Sequence, residues 1–461
     1  MTSTHLRELT RWAATVTVDD IPEEVLTQAR RCVLDLLGVT AAAVRDDDVA
    51  RLIAAERAMG ASGDARVLYR GDRFSVPVAA RINAFASSLT ELADNVSVHA
   101  NEANIPLALA HGERHGSSGE DVLAAIVIGA EVARRLHDTY YGTKKAGAEF
   151  PIGMTSPLNT FGSALTAARL MGAGPDAMFD AANVSLNLIA SALEVSVFAG
   201  APIKPLLFSG WHASSGYAAA SYALHGITAG DESLDAPNGG WLPGAAHEWD
   251  DAELTRDLGS RWELSRPDRK RHASCGFSQT ALDSVLELTR GIDADAVERI
   301  DVGLFAFGAQ TVGAPASAVV NSTAAKFNLR YLIACTLRSG GVVSVADTSE
   351  ANIPGRLADP AFVALMDKVG VTADAAFGFD RRFASEVRVT LADGTERTAV
   401  LDDARGRGNN QMTEAELDEK FFTLAAPVLG DERAQRVRDL VSGMSGMDDV
   451  AVLVDGLIVE G

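Results

Sequence analysis

Arg266, Arg269, Lys270, Arg271 and His272 fall within seven residues of a chain that is otherwise strongly acidic. Cys275-Gly276 follows. Thr280 to Thr289 then places Leu282, Val285, Leu286 and Leu288 on one side, the pattern of an amphipathic helix. Cations just before a helix start, where backbone N–H groups also favour negative charge, would suit a small anion. A solvated basic loop is the other reading. On the first, Lys270 is a candidate for chemistry, and Arg271 and His272 are candidate substrate contacts.

Two more residues stand out. Lys204 lies among apolar neighbours, Ala201-Pro-Ile-Lys204-Pro-Leu-Leu-Phe208. A buried unpaired ammonium is costly, so such a lysine has a partner or a task, unless it snorkels from a helix end. His99 lies in the polar stretch from Glu91 through Asp94 to Pro106, between two apolar runs. Loops held between rigid elements often carry function. Asp94 as a helix cap and His99 as an ordinary histidine are the alternatives. Imidazole changes charge near neutral pH and can move a proton. Ammonium groups can stabilise the anion left behind.

The composition narrows the field. The chain has 461 residues, enough for two domains. With 41 basic and 62 acidic residues its net charge is −21, which argues against nucleic acid as a partner. An anionic substrate must then be drawn in by a local basic pocket. Cys32, Cys275 and Cys335 form no C-x-x-C pair, so neither a disulfide framework nor a metal site is expected. No apolar run is long enough to cross a bilayer, and the start at Met1 shows no secretion signal, so a cytoplasmic location and no membrane partner are expected.

The elements that must position these groups are mostly helices. Periodic apolar residues predict helices at 6–15, from Glu23 past Leu37, at 76–92, as a pair within 105–137 split at 114–121, and at 161–170 and 181–199. Alanine, glycine and serine at many of these positions allow close approach. From about Ser265 to Asp402 the pattern changes. Val297 to Phe305 alternates like a strand, 323–337 and 360–369 read as helices, and 386–401 reads as a hairpin around Asp393-Gly394. After Thr413 the chain returns to helix.

In this order the features resemble the MmgE/PrpD family. The resemblance rests on His99 with Pro106 seven residues on, Lys204 before a Gly/Ala-rich helix, and Lys270 with Ser274-Cys275-Gly276. Lys326-Phe327 with Tyr331 and the Asp393-Gly394 hairpin complete it. It implies a mainly α fold: a large all-helical domain, residues 1–264 plus 403–461, with an inserted smaller α+β lid, residues 265–402. It also implies a homodimer, no cofactor, and a cleft site for a small di- or tricarboxylate. His99, Lys204 and Lys270 would be catalytic, and Tyr141 and Tyr331 would be further pocket residues. Asp94 falls in a segment that is Asp-rich in the family's dehydratases and decarboxylases. Their second histidine corresponds to Gly153, with Met154 and Thr155 beside it, and a further one to Gln279. Retained lysines with a reduced histidine set favour an epimerase or isomerase, acting like an iminodisuccinate epimerase. A lyase, such as 2-methylcitrate dehydratase or cis-aconitate decarboxylase, with Thr155, Tyr141 or His272 in the missing role, is the alternative. A non-catalytic carboxylate binder is a third.

Overall fold

Small residues let the helices of the larger half pack almost backbone to backbone. In the computed structural model, which describes residues 4–93, 98–145, 158–190 and 200–459, the helix Leu158–Leu170 lies at the centre of this half. It packs against Ala100–His115, Gly119–Tyr140, Pro175–Asn187 and Trp211–Leu224. A Cβ on Gly216 would meet Ser163 Cβ at 2.5 Å, and one on Gly162 would meet the Gly129 carbonyl oxygen at 2.7 Å. Larger residues there would force these helices apart.

The buried apolar residues form two main clusters. One runs from Leu6 to Leu264 and is completed by Phe421 to Leu457 of the C-terminal helices. Glu414–Leu429 returns to pack on Glu23–Ala43, so the chain ends in the half where it began. The other cluster is built from residues between Phe208 and Leu391 and surrounds a four-stranded sheet. Apart from the short pair β1 (Ala65–Arg66) and β2 (Arg73–Phe74), the strands are β3 (Val297–Leu304), β4 (Val369–Ala373), β5 (Ser385–Leu391) and β6 (Glu396–Leu401), in the order β4-β3-β5-β6. β3 is parallel to β4 and antiparallel to β5, and β5–β6 is the hairpin closed at Asp393-Gly394. Gly394 has φ +83°, a conformation that suits glycine at this turn. The protein is thus mainly α, a large helical part with a smaller α+β part.

Three sequence expectations change. The 360–369 run splits into the helix Pro360–Asp367 and then β4, whose pairing with β3 no local pattern announces. The 323–337 run is two helices, Ser322–Lys326 and Leu329–Ser339, because Asn328 caps the second by accepting from Tyr331 N at 3.1 Å. In the described part of the 181–199 run, the helix Pro175–Asn187 ends before Leu188–Ala190; residues 191–199 lie outside the described ones.

A buried ion pair anchors the approach to the basic stretch. Glu131 and Arg135 are both fully buried, with Arg135 Nε 2.7 Å from Glu131 Oε1. Arg135 also donates to the carbonyls of Arg256 and Arg261, and Glu131 accepts from Glu263 N at 2.7 Å. Burial raises the Glu131 carboxyl to about 7 despite Arg135. The pair fixes the chain just before Arg266, and so the place from which Lys270 reaches inward.

Candidate active site

The site is assembled around the C-terminus of one helix and the N-terminus of the next. Val76–Leu89 ends where Lys326 Nζ donates to the Leu89 carbonyl at 2.6 Å. Glu91 follows with φ +55°, and His99, just before Ala100–His115, has φ +59°. Side chains other than glycine seldom adopt this left-handed region, and where they do, the surroundings must enforce it. Two of the four described non-glycine residues with positive φ therefore bracket the same loop.

His99 is held by the helix that it precedes. Its Nδ1 lies 2.7 Å from Glu102 Oε1, one turn on, and Ser209 Oγ donates to Glu102 Oε2 at 2.7 Å. Burial by itself raises the Glu102 carboxyl. His99, Lys270 and Ser209 outweigh it, so its pKa lies below the ordinary carboxylate value. An ionised Glu102 accepts a proton-bearing Nδ1, which leaves Nε2 as the basic nitrogen. The His99 ring also meets Phe208 edge to face, with centroids 5.6 Å apart.

Lys204 also lies against Phe208, its Nζ 4.2 Å from that ring's centroid. It begins a helix that passes through a π-helical turn at Leu206–Gly210. Such turns recur at functional sites because they re-aim side chains. Two groups pin this one. Asn159 donates to the Phe208 carbonyl at 2.9 Å, and His212 donates from Nε2 to the Leu207 carbonyl at 2.7 Å while Nδ1 faces Thr160 Oγ1 at 2.6 Å. Burial pushes His212 down to about 4, consistent with a neutral structural imidazole.

Glu91 joins the lysines. One carboxylate oxygen contacts Lys204 Nζ, and the other accepts from Lys270 Nζ at 3.0 Å. Lys204 is 2% exposed, Glu91 5% and Lys270 4%. Burial, then the Lys270 charge, push Lys204 well below the usual lysine range. Lys326 is lowered to about 8 by burial. The Cys275 thiol is raised by burial, an effect that nearby Lys270 and Lys204 reduce. The part-buried His99 and the buried Lys204 and Lys270, more than sixty residues apart in every pairing, thus meet in one cluster.

The remaining sequence candidates are distributed differently. Tyr331 is fully buried and donates to the Asp347 carbonyl at 2.7 Å, with Phe362 against its ring, so it belongs to the core of the α+β part and not to the cluster. His272 is also fully buried. Its Nε2 lies 3.2 Å from Asp283 Oδ1 and its Nδ1 accepts from Val343 N, so both ring nitrogens are committed to holding the segment. Arg271 turns away from Lys270 to pair with Asp283 at 3.1 Å, and lines a separate cleft of about 270 Å³ beside Lys420. Arg269 is buried against Gln28. The expected cationic cradle is therefore splayed, because each side chain along this irregular segment leaves in a different direction. Tyr141 stacks on His137 at 4.2 Å and meets Phe379 at a tilt at 5.1 Å, in a cation–aromatic group that includes Arg382 and Lys144. Asp94 and Thr155 lie outside the described residues. Gln279 is a structural brace: it accepts from Arg271 N and His272 N and donates to the carbonyls of His272 and Ser274.

If Tyr331 only packs, Tyr331→Phe should leave ligand affinity and turnover unchanged. It should cost about 1 kcal/mol of stability for the lost hydrogen bond, read as a lower thermal midpoint. A large loss of turnover without unfolding would return Tyr331 to the site.

Sequence reasoning missed Glu102, Ser209 and Phe208 as site residues. Glu102 carried a signal: it stands three residues after His99, one turn into a helix. Ser209 carried none, since only the π-helical turn aims it at Glu102.

The structure thus joins a large helical part and a small α+β part, with an imidazole–carboxylate pair beside buried lysines. In comparison with known proteins, the MmgE/PrpD N-terminal domain matches residues 7–250 and the MmgE/PrpD C-terminal domain matches residues 272–445. The chain belongs to the MmgE/PrpD family. Its relatives include a cis-aconitate decarboxylase of Aspergillus terreus, 24% identical over 97% of this chain and 94% of the relative. The cis-aconitate decarboxylase-like protein oryM of Aspergillus oryzae is 26% identical over 97% of this chain and 96% of its own. Among the described residues no helix is long and apolar enough to cross a membrane.

Proposed function

We propose that this protein is an enzyme that moves a proton at a carbon next to a carboxylate of a small di- or tricarboxylate. The observation that carries this reading is the gathering of the part-buried His99, its partner Glu102, and the buried Lys204 and Lys270 around Phe208 and Glu91. His99 Nε2 takes the proton, and Glu102 holds the imidazolium that forms. The electron pair left on carbon delocalises onto the adjacent carboxylate, and the ammonium groups of Lys204 and Lys270 stabilise the added charge on oxygen. Once the planar carbanion has turned its other face to the imidazolium, His99 returns the proton there and completes an epimerisation. Gln279, which stands where the family's dehydratases and decarboxylases carry a histidine, is fully engaged with backbone groups. Its bracing role supports chemistry that needs no second imidazole there.

A lyase reaction is the second reading, favoured by the relatives named cis-aconitate decarboxylases. In it, carbon dioxide leaves as a protonated group delivers its proton to carbon. We propose further that residues 1–264 with 403–461 form one domain and 265–402 a lid inserted between them, and that the chain pairs as a homodimer.

One experiment separates the readings. The purified chain is incubated in D2O with iminodisuccinate and, separately, with cis-aconitate, and followed by NMR. Deuterium entering iminodisuccinate without net consumption is expected for the epimerase. Carbon dioxide release from cis-aconitate would replace it by the lyase. Ligand-raised thermal midpoints without exchange or turnover would leave only a carboxylate-binding homologue.

A further inference from the structure

Glu91 touches both lysines of the cluster, yet none of the proton transfers above uses it. Resting on the reading of His99, Lys204 and Lys270 as the substrate site, we propose that Glu91 is a positioning residue. Its single carboxylate ties Lys204 to Lys270, sets the distance between them, and holds Lys204 as an ammonium facing the substrate.

Three observations carry this. First, the two carboxylate oxygens are divided between the two lysines, so one planar group fixes both ammonium positions. The lysines come from different elements: Lys204 leads into the helix Trp211–Leu224 of the helical half, and Lys270 belongs to the basic stretch that leads into the α+β part. Second, the backbone aims the side chain. Lys326 holds the Leu89 carbonyl at 2.6 Å, Lys420 holds the Leu92 carbonyl at 2.9 Å, and between these clamps Glu91 is kept in its left-handed conformation. A residue with no task there would be relieved by glycine or asparagine.

Third, the charges around Lys204 are unbalanced without it. The groups facing Lys204 are the ammoniums of Lys270 and Lys326, the Cys275 thiol, and the rings of Phe208 and Phe327, and Phe208 also meets His99 of the His99–Glu102 pair. Burial and two like charges favour a neutral amine. Glu91 is the carboxylate in contact with the ammonium, and it opposes them. A neutral amine at this place would neither attract a carboxylate nor stabilise a developing oxyanion.

The test measures binding, so that it stands apart from turnover. Succinate affinity of the full chain is determined by calorimetry from pH 6 to pH 9 for the wild type, Glu91→Gln and Glu91→Asp. The glutamine variant keeps the shape and loses the charge. Its affinity should resemble wild type at pH 6 and fall away at least one pH unit earlier, giving about tenfold weaker binding near pH 8.5. The aspartate variant keeps the charge with a shorter reach, so it should bind more weakly at every pH while keeping the wild-type pH dependence. Equal weakening of the glutamine variant at all pH values, or an acid-shifted profile for the aspartate variant, overturns the proposal. If succinate and tricarballylate fail to bind even the wild type, the site reading fails and takes this one with it. Wild-type binding without the pH shift in the glutamine variant sinks only the role of Glu91.

Discussion

His99→Ala is expected to lower solvent exchange and turnover by about 10²–10⁴-fold, the span of a positioned general base. The loss should lie mainly in kcat, because the carboxylate-binding lysines remain. The fold should survive: His99 precedes its helix, and its ring meets the Glu102 carboxylate and the edge of Phe208 rather than the packed interior of a helix bundle. Glu102→Gln is expected to be milder and of the same sign. The amide can accept from Nδ1 but cannot offset the imidazolium charge. Kinetics on both variants, with circular dichroism to verify folding, decide the matter. Undiminished exchange in His99→Ala would shift the base to Lys204, whose lowered pKa makes a neutral amine accessible.

Lys204→Met should remove about 10²–10³-fold from kcat, the typical effect of losing one donor aimed at a developing oxyanion. It should also weaken succinate binding. Methionine is close in length and suits the walls formed by Phe208 and Phe327, so packing changes little. The Glu91 carboxylate would keep Lys270 alone, and a buried charge that loses a partner costs stability. The variant is therefore expected to melt at lower temperature than wild type and to recover part of that loss when Glu91→Gln is added. No recovery in the double variant would mean that the two side chains are not coupled.

Much of the architecture is local in origin and could be read along the chain. Alternating residues at 297–304 and the Asp-Gly turn at 393–394 specify β3 and the β5–β6 hairpin to within a residue or so. Small residues at helical spacing specify the packed half, since close helix approach needs little beyond missing side chains. β4 escaped because a five-residue strand with one buried end has almost no period, and its partner lies more than sixty residues away. The break at Asn328 escaped because apolar spacing continues across a cap.

The site divides along the same line. Lys204 was legible because an ammonium in an apolar stretch raises an energetic question wherever it is found. Lys270 could be noticed but not separated from Arg269, Arg271 and His272, which share its charge and its segment. Their directions depend on Asp283, Gln28 and Glu91, brought up from other parts of the chain. Tyr331 fitted a motif, yet its hydroxyl is spent on Asp347. Composition and periodicity by themselves determined a mainly helical enzyme-sized protein with an inserted sheet and a few cations in odd places. Tertiary structure alone decided that Glu91 bridges two of those lysines and that Glu102 orients His99. Helical and strand patterns arise from neighbours along the chain, whereas the protonation and aim of a buried charge are set by whichever groups folding places within a few ångströms of it.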